Sequence, residues 1–481
     1  MNTKSINRLF YLFFSLIVVS CVKSTDLYEG TPNGGVTDNT PPYIYPFGDE
    51  SQNTTAEIII KTDGTVDLNA ITAEIPYLKY NKSWLFMLTQ DDCKQAAYSC
   101  TWAVINGKPF SNTYYYNASQ LKVGDLPPDV YTLNKTLGSK DGTGNEVRFS
   151  ITTTLASEDT LMSDKTNVNL GYKDDYYRFK MKSFLVWENV IEMLNYGDGI
   201  AFHDVATPDV YNSDLIKLHY AKSQAIILDK LSGRGCKMLA EPNGNKSYVT
   251  AALSYDPIQV MTAQTGTVKL YPFQVKEDDL HKKLLNRTVY QQDEPFYYIK
   301  SDIKTQLALN KEAREAINIG VHGTDENWVR FLLWLDETYG KDGDDSVWFP
   351  SMEEYYEYNY YRIHGSVVPT VVDNSTLKLT VSLPSGQYFY YPSTTINLKG
   401  LAKEHVKSVT SGTSVTGLSY GNYGDGIMLN LDCRKYLVEH ATHFVEQYES
   451  NKTKSNKNDA IYFVNMLKES DTKAALLKRI N

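Results

Sequence analysis

At 481 residues the chain is too long for one ordinary hydrophobic core, and its net charge of −9 argues against nucleic acid as a partner. An apolar fraction of 42% and a charged fraction of 22% are those of a globular protein, not of a disordered or fibrous one. Five cysteines without CxxC spacing exclude a zinc knuckle and leave any disulfide unassigned.

The amino terminus reads as an export signal. Lys4 and Arg8 precede an apolar run over residues 9–19 that is too short to span a bilayer. The run ends Val18-Val19-Ser20-Cys21, small residues before a cysteine, as in a bacterial lipobox. Residues 1–21 are therefore expected to be a lipoprotein signal peptide, cleaved before Cys21, with lipid on the Cys21 thiol. The mature protein is expected at the bacterial cell envelope, held to a membrane by this anchor, with the leaflet left open. Residues 22–55 are rich in Thr, Asn, Gly and Pro and read as a flexible tether.

The first strand candidate is Ala56-Glu57-Ile58-Ile59-Ile60-Lys61. The next, Leu85-Phe86-Met87-Leu88-Thr89-Gln90, ends in two adjacent carboxylates, Asp91 and Asp92, before a helical stretch to Trp102. Residues 107–147 are dense in turn signals such as Asn106-Gly107 and Leu126-Pro127-Pro128, and read as an insertion over the exit of that strand. After a strand at 148–155, strands and helices alternate from about residue 182. Strands are expected at 148–155, 200–205, 236–241, 258–262, 268–271, 316–323 and 346–349. Helices are expected at 183–196, 215–231, 248–255, 326–339 and 352–361. Such alternation predicts a parallel sheet or barrel, and the number of strands favours a (β/α) barrel, irregular or incomplete. After His364-Gly365 the period changes to two at 376–383, 406–409 and 426–431, which predicts a small antiparallel module that leans on the barrel. Helices at 434–448 and 458–480 close the chain.

The polar groups that end the barrel strands carry the chemistry. They are Asp91 and Asp92, His203 and Asp204, Glu241 and Asn243, and His322. Carboxylates at the end of a buried strand are costly unless they are hydrogen-bonded, metal-bound or at a site mouth, and in parallel α/β folds that edge is where sites are built. Adjacent residues leaving a strand point apart, so one of Asp91 and Asp92 can hold a metal while the other faces substrate. Imidazole with carboxylate suits zinc or a similar divalent ion. A free carboxylate beside such an ion can take a proton from water, and a histidine opposite can protonate a leaving group, a set that describes ester or amide hydrolysis.

These residues also carry a resemblance. Thr89-Gln90-Asp91-Asp92-Cys93 resembles the Thr-Phe-Asp-Asp-Gly motif of the polysaccharide deacetylase family (NodB homology domain). His203-Asp204-Val205-Ala206-Thr207-Pro208-Asp209 resembles its second motif, His-(Ser/Thr)-x-x-His-Pro. Ala240-Glu241-Pro242-Asn243-Gly244 stands where the family has Arg-Pro-Pro-Tyr-Gly, and Ile319-Gly320-Val321-His322-Gly323 resembles the late strand with its catalytic histidine. The likeness covers roughly residues 80–350 and leaves the tail outside it. It implies a distorted (β/α) barrel of deacetylase type over 56–365, with a β-rich module and terminal helices over 366–481. It further implies a divalent metal, zinc by analogy, and removal of acetyl groups from a glycan. Asp91 would be the base and His322 the acid, Asp92 and His203 metal ligands, and Glu241 and Asn243 substrate contacts.

The chain departs from the family pattern at named places. Thr207 occupies the second metal-histidine position, Ala240 aligns with the arginine that orients the base, and Gln90 and Cys93 replace Phe and Gly. A third ligand is open among Asp204, Asp209 and His219. Beside the deacetylase expectation stand a non-catalytic glycan-binding lipoprotein on a degenerate barrel, and a metal-dependent glycosidase. The 37 tyrosines, clustered at 114–116, 176–177 and 355–361, would stack on sugars if exposed, but packing in cores and strands is the expectation. His440 and His443 read as a solvated helix face.

Overall fold

The computed structural model describes residues 41–110, 131–163, 184–206, 209–276, 278–290 and 295–481, and the backbone of Val22–Lys23. The signal peptide, Cys21, most of the tether, Thr207 and two of the tyrosine clusters lie outside the described residues.

At the centre is a parallel sheet curled into a barrel. Its strands are β1 (Trp84–Gln90), β2 (Thr152–Leu155), β3 (Gly199–Phe202), β4 (Met238–Ala240), β5 (Val260–Ala263), β6 (Leu284–Asn286), β7 (Thr288–Tyr290) and β8 (Ile317–Val321). All of β1 to β5 is buried, which is why β1, β3 and β4 read as continuous apolar runs and not as alternation, while β2 buries three threonines. The order is β6-β5-β4-β3-β2-β1-β8-β7, and a short β9 (Val347–Trp348) also pairs with β1. β6 and β7 are two halves of one segment, separated by Arg287 alone. The first half pairs with β5 (Thr262 opposite Leu285) and the second with β8 (Val289 opposite Gly320). Arg287 therefore stands at the seam where the barrel closes.

Helices cover the barrel: α1 (Trp187–Asn195), α2 (Ser213–Lys230), α3 (Lys246–Leu253), α4 (Pro295–Leu307), α5 (Glu326–Tyr339) and α6 (Met352–His364). Asn212, Asn245, Asp325 and Ser351 cap α2, α3, α5 and α6 by accepting from first-turn amides. The amphipathic stripe of α5, Trp328, Phe331, Leu332 and Leu335, is fully buried, as its spacing predicts. After β1 the expected helix is present, but Ala97–Trp102 winds as a π-helix, a form found mostly near functional sites. The helix α4 was not expected from the pattern.

Two four-stranded antiparallel sheets make the β module. One is ordered Ser366–Asp373, Thr376–Leu383, Thr54–Thr62, Val406–Ser411, and the other Gly417–Tyr423, Gly426–Asp432, Ser393–Lys399, Thr72–Glu74. Ile58, Ile60, Leu377 and Leu379 of the first share one buried cluster with Ile396, Leu398, Ile427 and Leu429 of the second. The first strand candidate, expected with the barrel, is thus a central strand of the sandwich, in register with Thr376–Leu383 over its length. The C-terminal segment alone holds too few strands for two sheets, and the amino-terminal segment supplies one to each.

The tyrosines of α6 settle into the core: Tyr355, Tyr356, Tyr358 and Tyr361 are all buried. A buried ion network ties α6 to the strand starts. Glu353 accepts from Arg234 Nη2 at 2.7 Å, and Lys237 Nζ lies 2.7 Å from Glu357, with all four side chains 0% exposed. The tail forms α7 (Leu437–Ser450), α8 (Lys454–Asn465) and α9 (Asp471–Ile480), with Phe444 stacked on Phe463 at 3.9 Å.

Two expectations are corrected here. His440 is not on a solvated face: it is buried, its Nε2 is 2.9 Å from the Asn195 carbonyl, and burial pushes its pKa down to about 3. His443 stacks on Tyr43 at 3.8 Å. The same packing shortens the tether, because Tyr45 and Phe47 are buried and the Tyr45 amide donates to Asn195 Oδ1. Cys93, Cys100, Cys236 and Cys433 are buried free thiols. Among the described residues no helix is long and apolar enough to cross a membrane.

Candidate active site

Parallel pairing places the carboxyl ends of β1, β3, β4 and β8 on one edge of the barrel, so the residues that leave these strands meet there. Asp91 and Asp92 leave β1, His203 and Asp204 leave β3, Glu241 and Asn243 leave β4, and His322 leaves β8.

Asp91 turns inward. It is 3% exposed, and its Oδ1 accepts from Arg287 Nη1 at 2.7 Å. Arg287 is itself 2% exposed, and its Nη2 donates to the Glu241 carbonyl at 3.3 Å. Gly320 on β8 leaves room for the guanidinium, since a Cβ there would lie 3.1 Å from Arg287 Nη1. The alignment with Ala240 is corrected by this arrangement. Ala240 is a fully buried core residue, and the guanidinium on Asp91 comes from the barrel seam. Sequence reasoning missed Arg287. The signal was a single arginine inside Leu284-Leu285-Asn286-Arg287-Thr288-Val289-Tyr290, an otherwise strand-forming run.

Asp92 and Cys93 both sit in the left-handed region, at φ 60° and 51°. This backbone is costly for L-residues and persists where the surroundings fix it. Here the Cys93 amide donates to Thr154 Oγ1 at 3.1 Å, and the Cys93 carbonyl accepts from the Leu185 amide. The kink sends Asp92 toward β3 while Asp91 faces the seam. Gln90, in place of an aromatic residue, is buried and bonded to Thr101 and Thr324.

His203 is 4% exposed, and its Nδ1 is 2.7 Å from the Ala240 carbonyl. A carbonyl only accepts, so Nδ1 carries the hydrogen and the neutral ring presents a bare lone pair at Nε2. That atom is 3.4 Å from Asp92 Oδ1. With the ring neutral these are two acceptors with room for a cation between them, and with the ring protonated Nε2 donates to Asp92. Asp204 adds a third donor: its Oδ1 is buried without a hydrogen-bond partner among the described residues. One ligand atom from each of Asp92, His203 and Asp204 lies within 4.8 Å of the others, and among the described residues this is the group that fits a metal ion. His219, whose Nδ1 is 2.7 Å from Glu158 Oε1, and the exposed Asp209 are not in this group.

The electrostatics follow from this crowding. The bond to His203 holds the Asp92 carboxyl down to about 2, with His322 and Lys94 acting in the same direction. Burial opposes charge on His203, but Asp91, Asp92 and Asp204 outweigh it, and its pKa is raised above the ordinary value. Burial raises the pKa of Asp204. His322 is half-buried and close enough for its charge to act on both Asp92 and Asp204.

A cavity of about 430 Å³ opens over Asp92, His203 and Asp204, walled by Lys94, Phe184 and the exposed Asn243. Glu241 takes no part in that wall. It is 2% exposed, with Lys246 Nζ 3.2 Å from Oε1 and with Oε2 unpartnered.

No curated protein matches the chain in sequence. The family model for polysaccharide deacetylases matches residues 56–481, so it takes in the sandwich and the terminal helices as well as the barrel. With its acid pair, its strand-end histidines, the barrel and the terminal helices inside that match, the chain belongs to the polysaccharide deacetylase family.

Proposed function

We propose that the protein is a metal-dependent hydrolase that removes acetyl groups from a glycan. The observation that carries this reading is the meeting of a three-donor set, Asp92, His203 and Asp204, with a separate carboxylate, Asp91, held by a buried arginine. A divalent ion, zinc by its donor set, would be held by those three residues and would supply Lewis acidity toward an acetyl carbonyl and water. Asp91, fixed by Arg287, takes a proton from the attacking water as the new carbon–oxygen bond forms. His322, across the barrel edge, gives a proton to the sugar nitrogen or oxygen as the acetyl bond breaks, and acetate leaves. Lys94 and Asn243 offer polar contacts to the sugar at the cavity wall.

The non-catalytic alternative rests on Ala240, Thr207 and the tyrosine clusters. Arg287 supplies the guanidinium that Ala240 lacks, which removes the first motive. The proposal includes a lipid anchor on Cys21 at the cell envelope, supported by the Val18-Val19-Ser20-Cys21 sequence. Cys21→Ser is expected to move the protein out of the membrane fraction.

The test is acetate release from a panel of N- and O-acetylated glycans by zinc-reconstituted protein, with Asp91→Asn and Asp92→Ala beside it. Release by the parent, abolished in both variants, is the expected result. Bound metal with no release on any substrate would return the protein to the glycan-binding reading.

A further inference from the structure

A second cavity, of about 630 Å³, lies at the junction of the barrel, the sandwich and the terminal helices. It is on the opposite face of the barrel from the site described above. β2 runs between the two: Ser150, just before the strand, lines this cavity, and Thr154 and Leu155 at its end line the other. Four residues of strand separate them, about 13 Å. The volume falls within the range of small-molecule sites, about 300–1,000 Å³.

The lining limits what could bind. Its cations are already matched by carboxylates. Lys79 Nζ is 2.8 Å from Glu354, Arg434 Nη2 is 2.7 Å from Asp432, and Lys341 pairs with Glu146. A phosphate or a nucleotide would have to break such a pair, at the cost of leaving its partner uncompensated, and the one lining carboxylate without a cation among the described residues, Asp141, is occupied by Thr143, Asn145 and Ser419. What remains free is uncharged. The side-chain amides of Asn134, Asn458 and Asn465 line the cavity and make no hydrogen bond to another described residue. Each amide offers donors and an acceptor side by side, the match for adjacent hydroxyls that both donate and accept. Tyr80 and Tyr391 add ring surface to the wall.

We infer that this junction cavity is a second, non-catalytic site for a neutral oligosaccharide. It gives the sandwich and the terminal helices a binding role beyond bracing the barrel. The inference does not rest on the metal or on the acetyl chemistry, because none of Asp91, Asp92, His203 and His322 lines the cavity.

The experiment is calorimetric titration of the full chain with neutral tetrasaccharides (N-acetylglucosamine tetramer, cellotetraose and maltotetraose), with tetragalacturonate as the charged control. Hydrogen exchange is read in the same samples. Saturable binding of a neutral sugar is expected, unchanged in Asp92→Ala and weakened at least tenfold in Asn458→Ala/Asn465→Ala. Added protection is expected over residues 458–466 and 417–432 and not over 154–159, a readout that stands even if the double variant folds poorly. The inference is overturned by no binding of any neutral tetrasaccharide, by preference for tetragalacturonate, or by protection confined to 154–159. Loss of binding in Asp92→Ala would likewise overturn it and assign the sugar to the other cavity. Acetate release without binding here would leave the proposed function standing and remove only this site.

Discussion

Arg287 Nη1 lies 2.7 Å from Asp91 Oδ1, and both side chains are almost fully buried. The pair joins the end of β1 to the seam that closes the barrel, so one contact serves both closure and the placement of the proposed base. Removing one partner of a buried pair leaves an uncompensated charge, which costs about 3–5 kcal/mol. Arg287→Met is expected to lose stability of that order in urea unfolding. Asp91→Asn/Arg287→Met is expected to be more stable than the sum of the single changes, because no lone charge remains. Additive losses would show that the pair is not coupled.

Gly320 faces the guanidinium across the β7–β8 pairing. A methyl there would sit 3.1 Å from Nη1, within a packed wall that also includes Val289. Gly320→Ala is expected to cost about 1–3 kcal/mol and to lower hydrolysis with Arg287 displaced. Gly320→Ala in the Arg287→Met background is expected to be milder, which equilibrium unfolding of the four proteins would measure.

Metal affinity should follow the donor set. Asp92→Ala and His203→Ala are expected to abolish stoichiometric zinc in equilibrium dialysis. Asp204→Asn is expected to weaken zinc binding by roughly 10–100-fold or more, on the scale of losses at such sites. His219→Ala and Asp209→Asn are expected to bind as the parent does, since neither belongs to the donor group.

Asp198, at the entry to β3, gives a pH signature that is independent of the site. Its Oδ1 accepts from the Ile151 amide at 2.8 Å, its Oδ2 is buried without a partner, and burial pushes its carboxyl from 3.8 up to about 8. Between these values the unfolded chain has lost a proton that the folded chain keeps, so the contribution to stability falls as pH rises through the window and is intact below it. Asp198→Asn keeps the acceptor and cannot ionise. It is expected to remove that fall and to exceed the parent by about 1–3 kcal/mol at pH 8, read from urea midpoints at pH 5 and pH 8.

Much of this protein follows from local pattern. The alternation of strand and helix, the capping residues, and the carboxylates and histidines at strand ends are short-range features, and they suffice to fix the barrel class and the candidates Asp91, Asp92, His203 and His322. The sequence also marks the period-two segments after residue 365 as antiparallel strands. Tertiary structure decided the rest, because it depends on residues far apart in the chain. Arg287 reaches Asp91 only because the segment 284–290 closes the ring, across a separation that no spacing encodes. Asp204 rather than His219 joins the donor set because the exit of β3 carries Asp204 to within 4.8 Å of Asp92 and His203, while α2 carries His219 outside that group. Thr54–Thr62 belongs to the sandwich because its apolar face finds a deeper partner in Thr376–Leu383 than the barrel offers. The tyrosines of α6 pack instead of stacking on solvent-side ligands, because the barrel floor and the sandwich close over them together.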